Sequence, residues 1–169
     1  MRILQLLPEL KFGGVERGTV DLSEHLTKLG HQSAVVSAGG GLTEQLSDHG
    51  AKHFSLPIAK KNFLAIKQYK NLRDIYREFK PDIIHVRSRF PAWINVLALK
   101  GLSSSKPIVI STFHGLYSKP FYSKSMSYAN DIIAISKTVQ EYVFKNYDVD
   151  HSRVHLIYRG CDIDEFNTS

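Results

Sequence analysis

Three stretches of this chain hold the residues best suited to chemistry: Phe12-Gly13-Gly14-Val15-Glu16-Arg17, Arg87-Ser88-Arg89, and Thr112-Phe113-His114-Gly115-Leu116-Tyr117. Adjacent glycines can adopt positive φ and let backbone N–H groups approach a ligand with no Cβ in the way. The free N–H groups of a helix that follows them favour a phosphate or a sugar oxygen. A tight strand-to-helix connection would use the same pair, so Gly13-Gly14 alone leaves both readings open. Arginine presents a planar fork of donors that matches phosphate or carboxylate. Arg87 and Arg89 therefore either receive an anion or pair with a nearby acid such as Asp82. A neutral His114 could hydrogen-bond a hydroxyl or a main-chain carbonyl in a cleft, or be a loop residue held by the fold.

Several other chemistries are excluded. The glycine loop has no third glycine for a dinucleotide fingerprint and no following Gly-Lys-Ser/Thr for a P-loop. His25, His31, His49, His53, His85, His151 and His155 show no metal-ligand spacing, and a single cysteine cannot build a thiolate zinc site, so no metal is expected. There is no Gly-x-Ser-x-Gly nucleophile elbow. No ribonucleoprotein motif or zinc finger is present, so nucleic acid is not an expected partner.

These residues need a framework. The 169 residues are 43% hydrophobic and 11% aromatic, enough for one packed domain spanning 1–169. Cys161 has no partner for an internal disulfide, which fits a reducing cytoplasm. Met1-Arg2 leads straight into an apolar run with no signal-peptide pattern, and no run approaches the ~20 residues of a membrane span. The expected location is cytoplasmic. A net charge of +6 points to anionic partners. Lys60, Lys61, Lys67, Lys70, Arg73, Arg77 and Lys80 interleave with Phe63, Leu64, Ile66, Tyr69, Leu72, Ile75, Tyr76 and Phe79. This basic amphipathic helix reads as an ordinary surface helix, with peripheral contact to an anionic membrane as an added role.

Apolar runs alternate with helical patterns. Strands are expected at 2–7, 32–37, 52–56, 82–86, 108–111, 131–135 and 154–157. Helices are expected at 15–29, 42–49, 62–79, 91–100, 119–128 and 137–146. The first helix is expected to bury Val15, Leu22, Leu26 and Leu29. Continuous apolar strands between amphipathic helices imply a Rossmann-like α/β domain, a parallel sheet of about seven strands with helices on both faces. All three candidate stretches then follow strands, at the carboxyl edge where open α/β sheets bind ligands.

Phe12-Gly13-Gly14-Val15-Glu16-Arg17, with Leu29-Gly30-His31 after it, resembles the opening of family 4 retaining glycosyltransferases of the GT-B fold. Asp82-Ile83-Ile84-His85 is similar to that family's fourth strand, and Asp131-Ile132-Ile133-Ala134-Ile135-Ser136 to a later one. The segment from Ile157 to Phe166 resembles the approach to the interdomain crossover. It reads Arg159-Gly160-Cys161-Asp162 where most members have Asn-Gly-Val-Asp. The runs at 87–93 and 113–117 look like the branch that includes lipopolysaccharide glycosyltransferases.

The resemblance implies one half of a GT-B fold, the acceptor side, with a second domain that binds the nucleotide-sugar absent from these residues. It implies retaining, metal-independent hexosyl transfer from a nucleotide-sugar co-substrate to a glycan or lipid-linked acceptor, with no other cofactor. By position, His114 would contact the transferred sugar, and Gly13 and Gly14 would lie against donor phosphates and acceptor. Arg87 and Arg89 would help form the acceptor face. Glu16, Ser88, Gly115 and Tyr117 complete the expected donor and acceptor contacts. The competing expectations are a self-sufficient Rossmann-like binding module and a GT-B nucleotide-sugar epimerase.

Overall fold

Seven short strands lie side by side in one parallel sheet, in the order β3-β2-β1-β4-β5-β6-β7. They are β1 (Arg2–Leu6), β2 (Gln32–Ser37), β3 (Lys52–Ser55), β4 (Ile83–Val86), β5 (Ile108–Phe113), β6 (Asp131–Ala134) and β7 (Val154–Leu156). The structure, a computed structural model, describes residues 1–59, 63–102, 106–118 and 120–160. The expectations that fall on Lys60, Lys61, Asn62, Lys119 and residues 161–169 lie outside the described residues.

The connecting helices are α1 (Gly14–Lys28), α2 (Thr43–Asp48), α3 (Phe63–Lys67), α4 (Tyr69–Phe79), α5 (Arg89–Leu99), α6 (Pro120–Ser123) and α7 (Lys137–Asn146). Short 3₁₀ turns occupy Lys124–Tyr128 and His151–Arg153. The helix expected over 62–79 is thus two helices. At the junction the Gln68 amide bonds the Ala65 carbonyl, a tighter i→i−3 turn, and the helix restarts at Tyr69. The stretch expected as a helix over 119–128 likewise divides into α6 and a 3₁₀ turn. β5 runs two residues past its expected end because Thr112 and Phe113 continue the ladder against Ile133 and Ala134 of β6.

One large core cluster joins Leu4, Leu6, Ala34, Val36 and Ile84 to Leu72 and Tyr76 of α4, Ile94 of α5 and Val143 of α7. The opposite sheet face carries a smaller cluster of Leu7, Val35, Val20 of α1 and Leu46 of α2. The buried face of α1 differs from its expected leucine stripe. Thr19, Val20 and Ser23 are buried, whereas Leu29 is 59% exposed. The reason lies underneath: β1 presents the polar Gln5 to α1, and its amide donates to the Thr19 carbonyl at 2.9 Å and to Ser23 Oγ at 2.8 Å. Small polar residues on the helix satisfy that buried amide where leucines would not.

The loop after β2 braces the loop after β1. Leu10 donates to the Gly39 carbonyl at 2.8 Å, and Leu42 donates to the Leu10 carbonyl at 2.9 Å. Gly40 has φ +151, and a Cβ there would strike the Leu10 carbonyl. Only glycine permits so close a backbone approach.

Candidate functional site

The parallel register decides which side chains meet. Gln5 of β1 pairs with His85 of β4, and His85 with Ile110 of β5. Side chains alternate faces along each strand, so Gln5, His85, Arg87, Thr112 and His114 share the face covered by α1. The contacts agree. His85 Nε2 lies 2.7 Å from Thr112 Oγ1, and Arg87 Nη1 donates to Gln5 Oε1 at 3.0 Å. Gln5 is fully buried, so it fixes the guanidinium from below while its own amide is held by α1.

Arg87 is only 8% exposed, and its Nε has no partner among the described residues. Asp82 does not pair with it; that carboxylate accepts from the Arg2 amide at 2.6 Å. Burial first, and then the nearby Arg159 charge, lower the Arg87 pKa to about 10 against the opposing pull of Asp21 and Glu16. Arg159, just past β7, reaches back over α1: a Cβ on Gly14 would lie 2.5 Å from its Nη1. A Cβ on Gly18 would lie 3.1 Å from Arg159 Nη2 and 3.4 Å from Arg87 Nη2. Two guanidinium groups therefore converge above the first turns of α1.

His114 completes this group. Its Nε2 is buried without a partner among the described residues, and its backbone N–H points to Tyr117 Oη at 3.4 Å. Burial, with Arg87 and Arg159 nearby, lowers its pKa to about 4. His85, more deeply buried and also facing Arg87 and His114, falls to about 3. Both imidazoles are neutral near pH 7 and each offers one donor and one acceptor.

The glycine pair behaves differently from its expectation. Gly13 is extended, with φ −170, and neither Gly13 nor Gly14 has positive φ. Gly14 serves instead by leaving room for Arg159. Glu16 folds back against the Cα of Gly13, where a Cβ would meet its carboxylate. Ser88 caps α5 in extended geometry without a side-chain bond, so that helix opens at Arg89, earlier than the expected Pro91. Arg89 turns from Arg87 and lies over the Tyr117 ring at 4.6 Å and the Tyr122 ring at 5.4 Å. Tyr117 packs on Phe113, and its carbonyl accepts from Tyr142 Oη at 2.6 Å. Gly115 has open space at its Cα.

Gly13, Gly14, Glu16, Arg87 and His114 thus share one site. Arg89 and Tyr117 form a neighbouring aromatic–cationic group that touches it through His114. Gln5, His85 and Arg159 belong to the site but were not singled out by sequence reasoning. A polar residue inside an apolar strand was the available signal for Gln5 and His85. For Arg159 it was the departure from asparagine. Among the described residues no group of three His, Cys, Asp or Glu side chains could hold a metal ion.

A seven-stranded parallel sheet covered by helices on both faces defines a Rossmann-like α/β domain, with buried cationic and imidazole groups at its carboxyl edge. The pattern of Glycosyltransferase Family 4 matches residues 12–165, and the chain belongs to that family. Its fold is the N-terminal half of a GT-B fold. A glycosyltransferase from Rickettsia africae is 34% identical, with a TM-score of 0.82 over 98% of this chain and 45% of that one. The lipopolysaccharide outer core galactosyltransferase WaaB is 17% identical, with a TM-score of 0.77 over 96% of this chain and 47% of its own. Anabaena HepE, solved with UDP and glucose, is 18% identical, with a TM-score of 0.77 over 99% and 46%. The chain spans less than half the length of these proteins. No curated protein matches the chain at a significant level.

Proposed function

We propose that this chain is the acceptor-binding domain of a retaining glycosyltransferase. The enzyme moves a sugar from a nucleotide-sugar to a glycan or lipid-linked acceptor of lipopolysaccharide type. The observation that carries the reading is the neutral His114 beside Arg87 at the carboxyl ends of β4 and β5, within a family 4 domain. A neutral imidazole in a desolvated site can hydrogen-bond a sugar hydroxyl, and cationic groups can stabilise charge as the sugar phosphate leaves. The work assigned to this domain is positioning and charge stabilisation, without a metal or a protein nucleophile. A second domain supplies the nucleotide-sugar site, with Gly13 and Gly14 against the donor phosphates. HepE, solved with UDP and glucose, supports a nucleotide-sugar donor, and the shared fold with WaaB supports the acceptor class.

The test is His114→Ala in the full-length enzyme. Turnover is expected to fall more than donor affinity, because a contact strengthened in the transition state acts on the chemical step. Wild-type turnover in that variant would return His114 to a structural role. A single-domain chain that transfers sugar unaided would contradict the two-domain reading.

A second element of the proposal is peripheral contact with the anionic cytoplasmic face of a membrane. Leu64 is 68% and Ile66 39% exposed beside Lys67 and Lys70, at the rim of an apolar hollow of about 610 Å³ lined by Pro57, Leu64 and Ala65. The support is narrower than the basic helix suggested. Leu72 and Tyr76 are buried, Arg73 donates to the Leu97 and Ala98 carbonyls, and Arg77 pairs with Asp74. No helix among the described residues is long and apolar enough to cross a membrane. Vesicle co-sedimentation should rise with anionic lipid and fall with salt. Equal recovery with neutral and anionic vesicles would remove this element.

A further inference from the structure

Away from the His114 site, α6 and the 3₁₀ turn after it face the C-terminal end of α7 across a groove of about 610 Å³. That is the volume of a small-ligand site. Ala129 and Asn130 enter β6 beside it and Arg153 enters β7, so it lies toward the amino edge of the parallel sheet, whereas His114 follows β5 at the carboxyl edge. Two rings stand open to solvent along the groove: Phe121 is 83% and Tyr128 52% exposed. Tyr128 is held in place. It meets Trp93 of α5 edge-on at 6.1 Å between centroids, and the Trp93 indole N–H donates to the Tyr122 carbonyl at 2.8 Å. Several polar groups in the lining are already spent. Arg153 donates to the Ala129 and Asn130 carbonyls and has Asp150 near its charge, and the Asn146 amide donates to the Tyr142 carbonyl at 2.8 Å. The Lys124 ammonium, the Asp148 carboxylate and the Asn146 carbonyl oxygen remain. Lys124 and Asp148 have no ion-pair partner among the described residues, and they do not pair with each other.

We infer that this groove is a second carbohydrate site, which holds a short neutral oligosaccharide apart from the transferase centre. The faces of a pyranose ring carry C–H groups that lie flat on an aromatic ring, and its rim carries hydroxyls that both donate and accept. Open rings beside one ammonium and one carboxylate match both features. An anionic ligand would meet Asp148, and a cationic one would meet Lys124. An apolar chain would take both charges out of water without giving either a partner. A neutral hydroxyl-rich ligand satisfies both at once. Tyr128, fixed by Trp93, gives the stacking surface before the ligand arrives, which lowers the ordering cost of binding. The inference goes beyond the transferase reading and does not depend on it.

The experiment titrates the 169-residue chain with maltotriose and with cellotriose to about 20 mM, a range that covers millimolar dissociation constants. Calorimetry gives the affinity. The fluorescence of Trp93, the one tryptophan of the chain, reports the location, because its ring touches Tyr128. At least one trisaccharide is expected to bind, with a saturable change in Trp93 emission. Phe121→Ala should weaken it at least about tenfold, since truncating an aromatic anchor is among the costliest changes in a binding site. The melting temperature should not move, because Phe121 is exposed. Asp148→Asn keeps the shape and removes the charge, and should weaken binding about threefold or more. His114→Ala should bind the trisaccharide as the unaltered chain does. No binding of either trisaccharide, or full affinity in Phe121→Ala, overturns the inference. Loss in His114→Ala with full affinity in Phe121→Ala would put the sugar in the transferase centre and overturn it too. If no sugar binds and Phe121→Ala instead changes the sedimentation of the chain, the two rings cover a protein contact and the carbohydrate site falls.

Discussion

Gln5→Met isolates the support beneath Arg87. The replacement keeps an unbranched side chain of similar volume, so it opens little cavity and forces little overpacking. It removes the acceptor for Arg87 Nη1 and two amide donations, to the Thr19 carbonyl and Ser23 Oγ. A hydrogen bond to a charged group is worth about 1.5–3 kcal/mol, and neutral ones about 0.5–1.5 kcal/mol each. Ser23 Oγ can turn to the carbonyl one helical turn back, so its loss lies at the small end, and the apolar methionine returns part of the remainder. The expected destabilisation is about 2–3 kcal/mol. With a urea m-value near 2 kcal/mol/M, that moves the midpoint down by about 1–1.5 M. A double-mutant cycle with Arg87→Met should return a coupling of about 1.5–3 kcal/mol. A loss below about 0.5 kcal/mol, or no coupling, would refute the claim that Gln5 holds the guanidinium.

Stability should also depend on pH. Unfolded imidazoles titrate near 6.5, whereas His114 and His85 are lowered to about 4 and about 3 in the folded chain. The unfolded state thus binds more protons as pH falls. Stability is full above about pH 6.5 and declines toward about pH 4 for His114 and about pH 3 for His85, by up to about 1.4 kcal/mol per pH unit per histidine. Urea midpoints across that range should show the decline, and His114→Ala should flatten it; a level profile would contradict the burial of both rings. Gly40→Ala should cost at least about 2 kcal/mol, from its φ of +151 and the Leu10 carbonyl in the way, while Gly115→Ala, with open space at its Cα, should stay within about 0.5 kcal/mol by thermal melting. Lys80 ends α4 at φ +50, so Lys80→Gly should raise the melting temperature by about 2–4 °C; an unchanged or lower value would show the left-handed cap is already unstrained.

Most strands were legible in the residues because they are apolar runs closed by a turn, β3 (Lys52–Ser55) being the polar exception. Gln32–Ser37 forms β2 and Lys137–Asn146 forms α7 with the bounds expected. The placement of Gly13, Arg87 and His114 at strand ends followed from the same local pattern. The break at Gln68 was not legible, since the apolar period runs through it and only an i→i−3 bond marks the turn. Nor was the polar underside of α1, because a leucine stripe says which face is apolar and nothing about the glutamine beneath. Strand order and register, which are tertiary, brought Gln5 to Arg87 across 82 residues and aligned His85 with Thr112. They also carried Arg159 from the end of β7 to the start of α1. Period and punctuation are local properties of a chain, and a sequence displays them. Which side chains converge depends on which strands become neighbours and on the path of the segments between them, and that is decided only when the whole sheet closes around its core.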